Sequence, residues 1–500
     1  MHELELKFQV PPEARDRVEA AVHRGGCAST RLQARYFDTE DGRLARAGLS
    51  LRLRREGRLW VQTLKADGDS PVRRLEHEVE VHPAARGEPP AIDPALHAGT
   101  PAGERLKAAL QPDPPGPRAE PPMLLPRYST DITRQTRELR VPGGGRVQLA
   151  FDEGRLQAGG RTLPVCELEL ELLQGPVAAL MKVGRRWALQ HGLWLSVVSK
   201  GQRGERLARG KDLGPVLKAR PPRLPHPASG DAELRAVVAA CLEQILGNAS
   251  EVGQDRYNED HVHQLRVGIR RLRSALRELG SLSAEVRPDW EAPLVKAFQA
   301  LGDYRDRDTV LRSVRPQLQE AGAPLVELPP AATAADPAQA VREAGFQAAL
   351  LGLIEFSLAE PAGGEAPHAS RTTRREAAAR LRRLHRQVVR DGRRFTRLDV
   401  PAQHRVRKRL KRLRYLAEFV APLFGERAVA AYLDRLRPAQ DALGLHNDDA
   451  VALEHYRAAA ASEPAAWFAV GWLTAHREVS ARLCRKALRK VADAPRFWKS

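Results

Sequence analysis

The chain has few residues of two kinds that mark common protein classes. Its four cysteines (Cys27, Cys166, Cys241 and Cys484) lie far apart in 500 residues and form no CxxC pair. This spacing argues against a disulfide framework and against a zinc knuckle, and it favours a reducing cytoplasm. Aromatic residues make up only 5% of the chain, so stacking platforms for nucleic-acid bases would be sparse.

Long apolar runs are also missing. The longest apolar stretch near the end, "AAWFAVGWLTA", is too short to cross a bilayer. The opening "MHELELKFQV" is acidic and strand-like, whereas a signal peptide begins with basic residues followed by apolar ones. We therefore expect a cytoplasmic protein without a membrane partner.

What the chain has in abundance is positive charge. The formal net charge is +19 and the pI is about 10.3, which favours polyanionic partners such as nucleic acid, anionic lipid or a phosphate polymer. Residues 1–210 carry 33 Lys and Arg against 27 Asp and Glu, a net charge of +6, and the remaining 48 against 35 give +13. The second part of the chain therefore holds most of the excess.

The hydrophobic period changes along the chain. Alternating, strand-like runs occupy the first 200 residues: "LELKFQV", "LSLRLRR", "LWVQTLKA", "RLEHEVEV", "STDITRQTRELRV", "RVQLAFDEG", "VCELELELL" and "WLSVVSK". Helical patterns interrupt them at "GERLKAAL" and "PVAALMKVGRRWALQHG". About eight strands are enough for a closed antiparallel barrel, so we predict an α+β domain over residues 1–208. A Pro-rich linker over 209–230 then leads to an all-α domain over 231–497.

Charged residues of both signs recur at alternate positions of the predicted strands. Alternate residues of a strand share one face, so each of these strands would present one charged side. The residues are Glu3, Glu5, Lys7, Arg52, Arg54, Lys65, Glu76, Glu78, Glu80, Arg134, Asp152, Glu167, Glu169, Glu171 and Lys200. The simplest interpretation is that these charged sides form the solvated outer face of the sheet. If the faces instead converge inside the barrel, a triphosphate with a divalent cation reconciles both signs, because carboxylates bind the cation and Arg and Lys bind phosphate.

An ordered set of motifs resembles the CYTH family, the triphosphate tunnel metalloenzymes. The motifs are "ELELK", "YFDTEDGRLARAGLSLRLR", "QTLKA", "STDITRQTR", "LAFDEG", "VCELELELL" and "SK..RG", and they follow one another through residues 2–206. The resemblance implies an eight-stranded antiparallel tunnel with flanking helices. It also implies an enzyme that uses Mg²⁺ or Mn²⁺ on inorganic triphosphate, thiamine triphosphate or nucleoside triphosphates.

The same resemblance assigns roles to individual residues. It implies catalytic roles for Glu3, Glu5, Lys7 and Glu169. It implies that the substrate is bound by Lys7, Arg52, Arg54, Lys65, Arg134 and Lys200. It implies metal ligation by Glu3, Glu5, Glu76, Asp152, Glu167 and Glu169. Glu78 is the alternative to Glu76, and Glu171 continues the alternation without an assigned role.

Two helical segments of the second part match each other at an offset of 141 residues. In "VHQLRVGIRRLRSAL" and "QHRVRKRLKRLRYLA", the matched positions are His263, Arg266, Arg270 and Arg273 against His404, Arg407, Lys411 and Arg414. At 100° per residue each set lies within about 80° of arc, so each helix has one cationic side. A second pair of similar segments, "LGDYRDRD" and "LGLHNDDA", aligns Asp306 with Asp448. We therefore predict an internal duplication with a pseudo-twofold axis.

Solvated faces are the ordinary interpretation of such Arg-rich helices, and a metal site from His263 and His404 is a further alternative. Like charges at these spacings repel one another along a helix. A row of basic residues that recurs on two helices therefore favours an anionic ligand such as a linear phosphate polymer. The segments resemble the CHAD domain, a helical module that often follows a CYTH domain, over roughly residues 228–495. This resemblance implies a helical bundle that binds inorganic polyphosphate through the eight basic residues. The motifs "RDRDTV" and "LGLHNDDA" depart from the family pattern, so the roles of Asp306 and Asp448 stay open.

These observations together predict a cytoplasmic inorganic triphosphatase that associates with polyphosphate stores through its helical part. Three alternatives remain at this level. The tunnel could be an adenylate cyclase or act on thiamine or nucleoside triphosphates. The protein could bind polyphosphate without catalysis. The basic helices could bind nucleic acid, although few aromatic residues accompany them.

Overall fold

The structure is a computed structural model. It describes residues 2–83, 88–112, 121–224, 230–328, 336–360 and 369–499, apart from the side chains of residues 2, 303–312 and 369–371. In the described residues no helix is both long and apolar enough to cross a bilayer. All four cysteines are free thiols.

Eight antiparallel strands close into a barrel in the N-terminal part. They are β1 (His2–Gln9), β2 (Ala28–Asp38), β3 (Leu49–Glu56), β4 (Leu59–Asp67), β5 (Arg73–Val81), β6 (Leu125–Val141), β7 (Gly145–Ala158) and β8 (Arg161–Gln174). Their order is β5-β4-β3-β2-β6-β7-β8-β1, and pairing of β1 with β5 closes the ring. A two-residue strand, β9 (Trp194–Leu195), adds to β1. The predicted eight-stranded antiparallel tunnel is confirmed.

Two details of the predicted strands are wrong. Strand β2 was not predicted, whereas only Trp194–Leu195 of the predicted strand "WLSVVSK" is a strand. Lys200 does not close a strand, because it is the first residue of helix α5 (Lys200–Ala208). Ser199 caps this helix: its hydroxyl accepts from Gln202 N, and the Gln202 side chain accepts from Ser199 N. This capping box favours a helix over continued strand.

The remaining helices of this part flank the barrel. They are α1 (Arg15–His23), α2 (Arg43–Arg46), α3 (Pro101–Ala109) and α4 (Val177–His191). The outer face of β1 is apolar, and Leu6 and Phe8 are fully buried. A Cβ at Gly184 of α4 would come within 2.8 Å of Leu6, so glycine permits α4 to lie directly on the strand. The predicted helices around "GERLKAAL" and "PVAALMKVGRRWALQHG" are both present.

The second part of the chain is mostly helical, as predicted. Its helices are α6 (Gly230–Val252), α7 (Glu259–Leu279), α8 (Glu291–Ser313), α9 (Arg315–Glu320), α10 (Pro337–Arg342), α11 (Ala344–Leu358), α12 (Ala369–Arg393), α13 (Val400–Phe419), α14 (Glu426–Ala459) and α15 (Ala466–Ala492). Leu265, Ile269 and Leu272 form the buried side of α7, and Leu410 and Leu413 belong to that of α13. The internal duplication itself stays a prediction.

The chain divides into two compact units. The first, which we call the tunnel unit, comprises Met1–Leu217, Ile245–His261 and Val341–Glu355. The second, the helical unit, comprises Lys218–Gln244, Val262–Ala340 and Phe356–Ser500. The tunnel unit therefore includes the end of α6, the start of α7 and most of α11. The predicted boundaries at 208 and 231 stay a prediction.

Candidate active site in the tunnel

On most strands of the barrel the charged face points into the lumen. Because alternate residues share a face, the apolar residues of β1 pack outside while its charged ones line the lumen. The cavity has a volume of about 280 Å³. Seven carboxylates line it: Glu3, Glu5, Glu76, Glu78, Asp152, Glu169 and Glu171. Seven cations also line it: Lys7, Arg52, Arg54, Lys65, Arg74, Arg134 and Lys200. The wall is therefore strongly charged but neutral in sum.

Three carboxylates converge at one side of the lumen. The side chains of Asp152, Glu167 and Glu169 can place one oxygen each within 4.8 Å of the others. They come together because Asp152 lies opposite Glu167 in the register of β7 and β8, and Glu169 follows two residues later on the same face. Asp152 and Glu167 are fully buried. A buried carboxylate group of this kind needs cationic partners or a metal ion.

Basic side chains surround this group, which we call the acidic cluster. Lys200 Nζ lies 2.6 Å from Asp152 Oδ2 and 2.7 Å from Glu169 Oε1, and it also contacts Glu167. Arg134 donates to both oxygens of Asp152, at 2.7 and 2.6 Å, and contacts Glu169. Burial disfavours the charged form of Lys200, but the three carboxylates outweigh it and raise its pKa. The Lys200 ammonium thus occupies the position where the carboxylates converge.

A second acidic group lies on β1 and β5. Lys65 Nζ is 3.0 Å from Glu3 Oε2 and 2.9 Å from Glu76 Oε2. The pairing registers of Lys65 with Glu76 and of β1 with β5 place these three side chains together. Burial raises the pKa of Glu3; the charge of Lys65 opposes this shift, and the adjacent Glu76 carboxyl adds to it. The two carboxyls thus share one ammonium in a partly buried site.

Some charged residues that line the lumen form no salt bridge within the described residues. Glu5 and Glu171 are cross-strand neighbours, and neither forms a salt bridge within the described part of the chain. Lys7 is buried and makes no salt bridge in that part either. Burial lowers the pKa of Lys7 to about 7, against the opposing charge of Glu167 and with the added effect of Arg74. These groups are the ones most available to a ligand.

Arg52 and Arg54 lie together on β3. Arg54 is 3.3 Å from Glu78 Oε1 and also contacts Glu56, and Arg52 is 3.8 Å from Glu78. Glu78 therefore faces the arginines, whereas Glu76 joins Glu3 and Lys65. Thr63 donates a further hydrogen bond of 2.9 Å to Glu78. The predicted substrate-binding residues are all in the lumen, but they form separate groups along its wall.

In the helical unit, contacts join α7 and α13. Arg270 donates to Tyr415 Oη at 3.1 Å, and the buried Arg271 pairs with Glu418. Two of the predicted polyphosphate-binding residues are paired with carboxylates: Arg273 with Glu291, at 2.5 Å, and Arg414 with Glu418, at 2.6 Å.

The other predicted residues of these two helices lie on partly exposed faces. Arg266 stacks on Phe298 with 4.9 Å between guanidinium carbon and ring centre, and donates to Gly302 O at 3.3 Å. His404 is exposed on α13 and lines a small cavity with Arg407. Partial desolvation of the ring at this cavity, together with the positive charges of Lys408, Arg407 and Lys411, lowers the pKa of His404. The side chain of Asp306 lies outside the described residues, and Asp448 lies on α14.

Two family models match the chain in succession. The CYTH domain model matches residues 1–204, and the CHAD domain model matches residues 236–457. The chain carries a CYTH domain followed by a CHAD domain. The predicted family membership is therefore confirmed.

Individual proteins are similar to parts of the chain. An inorganic triphosphatase from Haemophilus influenzae is 28% identical over 169 residues, or 34% of this chain. The match spans only 44% of that relative's length. The crystal structure of the CHAD domain from Ricinus communis covers 55% of this chain and 96% of its own, at 28% identity and a TM-score of 0.41. A candidate adenylyl cyclase from Hippeastrum, described as having a dominant triphosphatase activity, covers 42% of this chain and 96% of its own, at 18% identity and a TM-score of 0.29.

Sequence reasoning assigned no role to two residues that line the CYTH lumen, Arg74 and Tyr36, or to Arg203, which contacts the acidic cluster. Arg74 precedes Glu76 by two positions on β5, so the alternation could have identified it. Arg203 follows Lys200 by one helical turn on α5, is buried, and contacts Glu167. Tyr36 of β2 accepts from Arg52 at 3.4 Å. Burial opposes ionisation of Tyr36, but the charges of Arg52, Lys200 and Arg54 outweigh it and lower its pKa.

One wall of the CYTH lumen is apolar. On β2 the alternation is inverted: Leu32 and Ala34 line the lumen, while Arg31 and Arg35 face outward. Ile132 on the paired strand β6 extends this surface. The charged groups therefore occupy the other strands.

Proposed function

We propose that the CYTH domain hydrolyses the terminal phosphoanhydride of inorganic triphosphate with a divalent cation, and that the CHAD domain binds polyphosphate. The CYTH match and the similarity to an inorganic triphosphatase support triphosphate hydrolysis in general. The observation that carries the proposal is the composition of the lumen. Seven cations line it beside seven carboxylates. Among these groups, the cation Lys7 and the carboxylates Glu5 and Glu171 form no salt bridge within the described residues.

The basic residues suit a short, highly charged substrate. A triphosphate carries several negative charges over a short length, and guanidinium groups bind phosphate oxygens in pairs. The lumen is lined by Arg52 and Arg54 of β3, Lys65 of β4, Arg134 of β6 and Lys200 of α5, so basic groups reach it from several elements. Positioning and charge stabilisation provide most of the catalysis in phosphoryl transfer. These residues would hold the substrate and stabilise the negative charge of its equatorial oxygens.

The acidic residues suit a hard divalent cation. Asp152, Glu167 and Glu169 bring carboxylate oxygens within 4.8 Å of one another, which is the donor chemistry that Mg²⁺ and Mn²⁺ prefer. Glu3, Glu5 and Glu76 would complete this set from β1 and β5. When bound, the cation would neutralise phosphate charge and lower the pKa of a bound water. Lys200 and Arg134 hold the carboxylates in their converged arrangement without it.

The reaction can be tested on the purified full-length protein. Triphosphate, ATP, thiamine triphosphate and long-chain polyphosphate are each incubated with Mg²⁺ or Mn²⁺, and orthophosphate, pyrophosphate and cyclic AMP are measured. We expect orthophosphate and pyrophosphate from triphosphate at the highest rate. Cyclic AMP from ATP would instead identify a cyclase, and the absence of any product would identify a binding protein.

Polyphosphate binding by the CHAD domain needs a separate experiment. The partly exposed basic residues Arg266, Arg270, Arg407 and Lys411 would bind a linear phosphate chain, and would bring the enzyme to polyphosphate stores. Binding of fluorescent polyphosphate is measured at several salt concentrations with duplex DNA as competitor. We expect strong salt dependence and little competition by DNA. Equal competition by DNA would refute a preference for polyphosphate.

A further inference from the structure

A short buried segment, residues 195–198, connects β9 to the residues that cap α5. We call it the strap. Leu195, Ser196 and Val198 are each at most 6% exposed. On one side the strap follows β1: Leu195 pairs with Phe8, and Ser196 N donates to Lys7 O at 2.9 Å. The strap therefore fixes the backbone of Lys7.

Two other backbone N–H groups of the strap, those of Leu195 and Val197, have side-chain acceptors. Leu195 N donates to Gln347 Oε1 and Val197 N donates to Ser250 Oγ, both at 2.9 Å. A buried N–H group without an acceptor is costly, so these bonds determine where the strap lies. Ser250 belongs to α6 and Gln347 to α11. Both residues are 1% exposed and belong to the tunnel unit.

Each acceptor is itself held in one orientation. Ser250 Oγ donates to Leu246 O at 2.7 Å, one turn earlier on α6. Gln347 Nε2 donates to Val341 O, also at 2.7 Å, so its carbonyl oxygen points to the strap. Gln254 adds a third contact, from its Nε2 to Ser196 Oγ at 3.1 Å. The helices thus offer a prearranged set of acceptors and donors to the strap.

The strap also contacts the charged residues of the lumen. Arg74 Nη2 donates to Val197 O at 3.4 Å. The strap ends two residues before Lys200, which occupies the centre of the acidic cluster. A small cavity of about 20 Å³ adjoins the lumen here, and Glu3, Glu5, Lys7, Arg74, Leu246 and Ile354 are among its lining residues. Side chains of α6 and α11 therefore reach the wall beside the catalytic residues.

We propose that Ser250 and Gln347 are positioning residues for the tunnel. Their hydrogen bonds hold the strap, and the strap in turn fixes the positions of Lys7, Arg74 and Lys200. Both lie outside the CYTH match and inside the CHAD match, so residues of the sequence-defined CHAD region complete the CYTH active site. The inference rests on the proposed triphosphatase function. A shift of about 1 Å in such groups can lower a rate about 100-fold.

The test uses full-length variants with matched controls. Ser250→Ala removes one acceptor, Ser250→Thr retains the hydroxyl, and Gln347→Leu removes the other. Ser274→Ala and Gln244→Leu are controls: both residues are buried, and their side chains bond to α7 backbone or side chains instead of to the strap. For each variant, kcat and KM for triphosphate with Mg²⁺ are measured, together with the folded fraction by circular dichroism.

We expect kcat/KM per folded molecule to fall about 10- to 100-fold in Ser250→Ala and Gln347→Leu. We expect Ser250→Thr to restore most of it, and both controls to stay within about twofold of wild type. A purely structural role would lower the folded fraction but not kcat/KM of the folded molecules. Values within twofold of wild type in Ser250→Ala and Gln347→Leu would overturn the inference.

A parallel measurement separates this inference from the proposed function. Triphosphate binding is measured by calorimetry without a divalent cation. The affinity depends on the positions of the basic groups in the lumen, whether or not hydrolysis occurs. We expect about tenfold weaker binding in Ser250→Ala and Gln347→Leu. If wild type does not hydrolyse triphosphate, the proposed function fails, and unchanged binding in these variants would still overturn the positioning role.

Discussion

Removal of the Lys200 ammonium tests the charge balance of the acidic cluster. Asp152 and Glu167 are fully buried, and Lys200 contacts both of them and Glu169. A Lys200→Met variant keeps most of the side-chain volume but removes the charge. Removing one partner of a buried ion pair leaves an uncompensated charge and costs about 3–5 kcal/mol.

The structure places the expected loss at the lower end of this range. After the substitution, Asp152 still has Arg134 and Glu167 still has Arg203. We therefore expect the free energy of unfolding to fall by about 3 kcal/mol without a divalent cation. The carboxylates released from Lys200 should then bind Mg²⁺ more tightly. At a Mg²⁺ concentration 100 times Kd, binding to the folded state raises the free energy of unfolding by about 2.7 kcal/mol.

Urea unfolding with and without Mg²⁺ measures both effects. Lys182→Met is the control, because Lys182 is exposed on α4. We expect the control to match wild type, and we expect Mg²⁺ to stabilise Lys200→Met more than wild type. Two results would refute the reasoning: a Lys200→Met variant as stable as wild type without Mg²⁺, or equal stabilisation of both proteins by Mg²⁺.

Three further predictions concern other charged groups. Arg52→Ala should lower kcat/KM for triphosphate about 100-fold or more in a phosphate-release assay, because a charge-assisted phosphate contact in the lumen is lost. Arg55→Ala is the control: Arg55 is exposed on the same strand, and its replacement should leave kcat/KM unchanged. Lys411→Ala should weaken polyphosphate binding and reduce its salt dependence in a filter assay; an unchanged salt slope would contradict its role. Burial raises the pKa of Glu233 to about 7, so the stability that its protonated form provides is lost as the pH rises from about 4.5 to 7. Glu233→Gln should therefore raise the free energy of unfolding by up to about 3 kcal/mol at pH 8, with little change at pH 4, as measured by urea unfolding.

Much of the tunnel could be predicted because its chemistry follows strand alternation. Every charged residue that was assigned a substrate or catalytic role on β1, β3, β4, β6 and β8 does line the lumen. The period of two fixes the face of a residue once the apolar face is known. Glu167 is the exception among the predicted metal ligands, because it is fully buried and does not line the lumen, where Arg203 and Lys200 contact it.

The remaining features depended on long-range contacts. Strand β2 escaped prediction because its lumen face is apolar and its outer face is charged, the reverse of its neighbours. The strap has strand-like residues, yet two of its backbone N–H groups donate to the side chains of Ser250 and Gln347, which are distant in sequence. No local pattern indicates such partners. The same limit applies to Arg273, whose partner Glu291 lies on the next helix, α8. The partner of Arg414 is different, because Glu418 follows it by four residues on α13 and the i,i+4 spacing could have identified the pair.

The most direct test of the central claim is orthophosphate release from triphosphate by a matched pair of variants. Glu5→Gln removes a lumen carboxylate, and Glu80→Gln changes an exposed carboxylate of β5 that lies outside the lumen lining. The full-length proteins are assayed with Mg²⁺, with Mn²⁺ and with a chelator. We predict metal-dependent release by wild type and Glu80→Gln and a loss of at least 100-fold in Glu5→Gln. Release that is unaffected by the chelator, or equal in both variants, would contradict a metal-dependent triphosphatase in the tunnel.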